Sequence, residues 1–122
     1  MADLERRGRE RERLLIAAPA LVEAYSVLTR LPPPYRMPLD DAAHVLKVNW
    51  AQRESVALTP AEYWKLLDVE SARGIGGGRI YDAIVAHCAR KAKADEILTW
   101  NVDHFEAFAR DGLIVSRPGH NA

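Results

Sequence analysis

From Leu14 to Ala18 the chain reads Leu-Leu-Ile-Ala-Ala, an unbroken apolar run that predicts a strand covered on both faces. Pro19 ends the run and is suited to the first turn of a helix. In that helix Leu21, Ala24, Tyr25 and Leu28 fall at helical spacing, until Leu-Pro-Pro-Pro stops it. A second amphipathic helix follows over 38–52, with Ala42, Val45, Leu46 and Trp50 on one face. Ser55–Thr59 reads as a strand. Thr59, Pro60 and Glu62 then stand as N-cap, first helical residue and capping-box partner of a third helix. The three glycines 76–78 are a flexible entry to a helix over Arg79–Lys93, Glu96–Trp100 is a strand, His104–Arg110 a short helix and Leu113–Ser116 a last strand.

Strands alternating with helices along the whole length predict an α/β sandwich around a mainly parallel sheet, with no internal repeat or linker. At 122 residues, 48% hydrophobic and 28% charged, the chain has material for one core and one domain, 1–122. Seventeen Lys and Arg balance seventeen Asp and Glu, so no global field favours nucleic acid or membrane, and such a partner must meet a local patch. Residues 3–12 are charged almost throughout and read as a solvated helix. With one cysteine, Cys88, no internal disulfide forms, which suits a reducing compartment, and we expect a cytoplasmic protein with no membrane partner. The N-terminus has no signal-peptide core, and no run reaches the roughly 18 apolar residues of a membrane span.

In parallel sheets, ligands sit beyond the carboxyl ends of the strands. Three acidic features fall there. Glu23 lies early in the helix after the first strand, and Asp82 lies in the first turn of the helix after the glycines. Asn101 and Asp103 follow the strand Glu96–Trp100. Each has a plain alternative: acids favour helix N-termini, and Asp103 with Glu106 matches a capping box. Their coincidence at one sheet edge favours a shared role. Converging carboxylates repel, and a hard divalent cation relieves the repulsion while leaving coordination positions open for a phosphate and an attacking water. Thr99 is a weaker candidate for orienting water or a carboxylate.

The stretch GRIYDAIVAHCARKAKADEILTWNVDHF resembles the C-terminal half of PIN-domain proteins, particularly the VapC-type toxins of toxin–antitoxin pairs, and APALVEAYSVLTRL resembles their glutamate helix. The resemblance spans Leu14 to Pro118. It implies a PIN-like three-layer α/β/α sandwich and a Mg²⁺- or Mn²⁺-dependent endoribonuclease that is a homodimer and is neutralised by a cognate antitoxin. Carried over, Glu23 and Asp82 match metal-binding acids, Asn101 matches the family's fourth position, and Asp103 assists in the metal set. The family pattern also begins with a central strand ending in an aspartate. No such segment is found here, which implies an N-terminally truncated PIN-like domain with a gap in its sheet and a weakened metal site. Two readings therefore stand: a metal-dependent ribonuclease acting on RNA, or a non-catalytic form that binds an antitoxin or itself.

Other signals carry less. The glycine loop lacks the Lys-Ser/Thr of a phosphate-binding P-loop. His44, His87, His104 and His120 show no paired metal spacing, so zinc is not expected. Trp50, Tyr63 and Trp64 are expected in core or interface. Arg73, Arg79, Arg90, Lys91 and Lys93 form a local basic region open to an RNA backbone, or a solvated helix face.

Overall fold

Two short parallel strand pairs, rather than one continuous sheet, organise the computed structural model of the chain, which describes residues 14–99, 102–110 and 112–117. The first pair joins β1 (Leu15–Ala17) to β2 (Glu54–Val56), with Leu15 opposite Glu54. The second joins β3 (Glu96–Leu98) to β4 (Ile114–Ser116), with Glu96 opposite Ile114. The helices are α1 (Ala18–Arg30), α2 (Leu39–Trp50), α3 (Pro60–Ala72), α4 (Arg79–Lys91) and α5 (Val102–Phe105), and a 3₁₀ turn over Glu106–Phe108 continues α5. The fold is α/β with parallel strands, as the alternation predicts. Among the described residues no strand pairing joins the two pairs, so the expected single sheet is divided.

The helix starts follow local chemistry. Thr59 Oγ1 accepts from the Glu62 amide at 3.2 Å, and the Thr59 amide donates to Glu62 Oε1 at 2.8 Å, completing the expected capping box. At the other end of α3, the Ile75 amide donates to the Glu70 carbonyl and the Gly74 amide to that of Ser71. This is a Schellman closure, and it needs a left-handed residue, which Gly74 supplies at φ 77°. α4 ends the same way, two residues earlier than its periodicity suggested, with Ala94 donating to Ala89 and Lys93 to Arg90. There Lys93, not a glycine, takes the left-handed place at φ 57°.

The core lies around α4. Ala83, Ala86 and Ala89 present its small face, and Leu66, Ile97, Phe105, Phe108 and Leu113 pack into one cluster with them. Small residues let helix backbone approach strands closely, and α4 touches β1, β2 and β3 as well as α1, α3 and α5. The two halves of the molecule are thus bridged by a helix. α1 has no fully buried residue. Its stripe Leu21, Ala24, Tyr25 and Leu28 is half-buried, and Leu21 and Tyr25 face Leu46 and Trp50 of α2 across an apolar groove of about 400 Å³. Trp64 is 72% exposed and Tyr63 is also exposed, so of the expected core or interface placement the core is not where these two lie. Trp64 falls on the side of α3 opposite Leu66, whereas Tyr63, three residues before Leu66 and seven before Glu70, shares their face near its exposed start, and α3 is only weakly amphipathic. Residues 1–13 lie outside the described residues, as does the helix expected over 3–12.

Candidate functional site

The two best-supported acids stand on helices that touch. Glu23 is in the second turn of α1 with an exposed side chain, and Asp82 is in the first turn of α4, half-buried; α1 and α4 pack against each other. Asp82 follows the glycine turn, in which Gly77 takes φ 60°. Gly78 is right-handed at φ −63° and caps α4, so only Gly74 and Gly77 need glycine's freedom there. Asp103 occupies the first turn of α5 and is exposed. Thr99 follows β3, and its amide donates to the Ser116 carbonyl at 3.0 Å, extending the β3–β4 ladder by one rung. Asn101 lies outside the described residues. Among the described residues no three His, Cys, Asp or Glu side chains gather closely enough to hold a metal ion.

A different acid has the most elaborate surroundings. Glu70 is fully buried near the end of α3. Arg73 Nη1 donates to its Oε1 at 2.8 Å, and Nε2 of His87, on α4, lies 2.7 Å from its Oε2. Because an ionised carboxylate only accepts, the His87 Nε2 carries the proton in this contact. Burial pushes the Glu70 pKa up, but the His87 hydrogen bond and the Arg73 charge outweigh it and hold the carboxyl below its usual range. Arg73 also donates through Nη2 to the Ala107 carbonyl and lies over the Phe108 ring, 5.4 Å from its centroid. Arg90 Nη2 donates to the Phe108 carbonyl at 2.6 Å.

The pattern of the sequence did not single out Glu70. The available signal was its spacing of three from Arg73, which places the two on one helix face.

These contacts also revise the basic region. Of its five members, Arg73 and Arg90 are engaged with carbonyls and Glu70. Lys91 Nζ donates to Glu62 Oε1 at 2.7 Å and to the Ala57 carbonyl at 2.8 Å, tying the end of α4 to the start of α3. Arg79 and Lys93 are exposed. Cys88 is fully buried, and burial pushes its thiol pKa up, which leaves it an inert packing residue.

Comparison with known proteins decides the family. Over 95 residues, 78% of this chain and 69% of the relative, the sequence is 38% identical to Ribonuclease VapC40 of Mycobacterium tuberculosis, in strains CDC 1551 / Oshkosh and ATCC 25618 / H37Rv alike. The chain belongs to the VapC ribonuclease family. A second relative in that family, Ribonuclease VapC27 of M. tuberculosis strain ATCC 25618 / H37Rv, is 40% identical over 76 residues, 62% of this chain and 54% of its own length. No protein-family model matches the chain, and no solved structure matches it. Among the described residues no helix is long and apolar enough to cross a membrane.

Proposed function

We propose that this chain is a Mg²⁺- or Mn²⁺-dependent endoribonuclease of the toxin–antitoxin kind, hydrolysing RNA phosphodiester bonds in the cytoplasm. The observation that carries the reading is membership of the VapC ribonuclease family over a stretch of similarity 95 residues long. Glu23, Asp82 and Asp103 would hold the metal or its waters, Asn101 would complete the set, and Thr99 would be an accessory. The donor types suit a hard cation, since Mg²⁺ is commonly held by one or two carboxylates with waters and substrate phosphate supplying the rest, and the helices of Glu23 and Asp82 pack together. When bound, the metal polarises a phosphoryl oxygen and lowers the pKa of a water. The chain's own part is to present carboxylates from helix starts, with the glycine turn setting where α4 and Asp82 begin. The layered PIN-like sandwich is part of the same reading. So are a cognate antitoxin and a homodimer, for which the exposed Val22 at the α1–α2 groove offers apolar surface.

One observation favours a second reading, a non-catalytic domain that binds an antitoxin or itself. Among the described residues the β1–β2 and β3–β4 pairs are separate rather than one sheet. Incubating a structured RNA with the folded chain and Mg²⁺ or Mn²⁺, beside EDTA and Asp82→Asn, separates the two. Cleavage that needs metal and disappears in the variant supports the enzyme. A folded chain that leaves the RNA intact in either metal supports the binding form.

A further inference from the structure

α5 and the turn after it are too short to hold themselves. Four α-helical residues and three 3₁₀ residues are below the length at which a helix is stable alone, and their terminal carbonyls lack partners within the helix. Two arginines from elsewhere in the chain bind them: Arg73 donates to the Ala107 carbonyl, and Arg90, together with the Arg110 amide, to that of Phe108. A cation at a helix C-terminus also matches the local dipole. Arg73 is distinctive because its backbone and side chain serve different ends. Its backbone is the C-cap of α3, immediately before the left-handed Gly74 that starts the turn into α4 and Asp82. Its guanidinium spans from the buried Glu70 to the turn that follows Asp103.

We propose that Arg73, gripped by Glu70, is a positioning residue that fixes the Asp103-bearing turn relative to the glycine turn leading into Asp82. The proposal rests on reading Asp82 and Asp103 as metal-site carboxylates. Its physical basis is the planar fork of the guanidinium, which donates to Glu70 Oε1 through one arm and to the Ala107 carbonyl through the other. An ammonium keeps the charge but loses this two-armed geometry.

The test uses the full chain, with Arg73→Lys and, separately, Glu70→Gln, which loosens Arg73 without altering it. Mn²⁺ affinity is measured by calorimetry, and amide hydrogen exchange is followed over residues 102–110, with 14–17 and 54–56 as the reference. The expected result is a folded Arg73→Lys chain that binds Mn²⁺ roughly tenfold to a hundredfold more weakly. Exchange should quicken over 102–110 and stay unchanged in the reference peptides. Unchanged exchange over 102–110, or quickened exchange with undiminished Mn²⁺ affinity, overturns the proposal. If one variant unfolds the other decides, and if both unfold Arg73 is a fold residue and the proposal fails. A wild-type chain that binds no Mn²⁺ overturns the metal reading itself, which is distinguishable from wild-type binding that survives Arg73→Lys.

Discussion

Nε2 of His87 and Oε2 of Glu70 lie 2.7 Å apart, joining α4 to α3 through a carboxylate that has no exposure to solvent. With Arg73 on its other oxygen, Glu70 is a buried charge whose cost is met only by its partners. Glu70→Ala should therefore lower stability by about 3–5 kcal/mol, since it strands Arg73 and His87. Urea unfolding measures this, and a loss below about 1 kcal/mol would show that water readily replaces the carboxylate.

Acid should unfold the protein over a defined window. The hydrogen bond from Lys91, then that from the Thr59 amide, lower the Glu62 pKa from the usual 4.5 to about 2, and Glu70 is lowered as well. A carboxyl whose folded pKa is depressed contributes stability that is complete above the unfolded value and is lost as pH falls toward the folded one. Stability should thus decline between about pH 4.5 and pH 2, and Glu62→Gln should flatten that decline. An unchanged slope in the variant would show that other carboxylates carry the acid sensitivity.

Lys93 pays a conformational cost in its left-handed cap. Glycine relieves about 1–2 kcal/mol of such strain but loses some of it to greater freedom in the unfolded chain. Lys93→Gly should stabilise by about 0.5–1 kcal/mol. A destabilised variant would mean that the lysine side chain makes contacts outweighing the strain.

Ala86 has no exposed surface on the face of α4 that packs into the core. Ala86→Leu should cost about 1–3 kcal/mol through overpacking, read as a lowered midpoint in denaturant. A neutral outcome would mean that the space beside α4 accommodates a larger side chain without moving its neighbours.

The sequence was most legible where structure is written locally. The capping box of Thr59 and Glu62 needs four adjacent residues, and it forms as expected. The alternation of strands and helices likewise yields the α/β class and parallel pairing. Strand lengths were overestimated: Ser55–Thr59 and Glu96–Trp100 predict five residues each, whereas β2 and β3 have three. A strand extends only as far as a neighbour offers a ladder, which residue pattern does not reveal. Glu70 was illegible for a related reason. A buried glutamate violates the usual inside–outside rule, and its justification lies with His87, 17 residues away, and with an arginine that reaches Ala107, 34 residues away. The exposed Trp64 is the opposite case, an apolar residue on a helix whose weak amphipathy leaves its inward face ambiguous. For the candidate site, the sequence located helix starts and strand ends, and the packing of α1 against α4 brings the helices of Glu23 and Asp82 together. Asn101 lies outside the described residues.

Every residue of the main apolar cluster lies between Leu58 and Val115, and none comes from β1, α1 or α2. This asymmetry bears on the order of assembly. The prediction is that α3, α4 and the β3–β4 pair form the folding nucleus, with β1, α1 and α2 docking after the rate-limiting step. Truncations such as Leu66→Ala should then slow folding, while Leu21→Ala should mainly speed unfolding. The reverse pattern in stopped-flow kinetics would place the nucleus in the N-terminal elements.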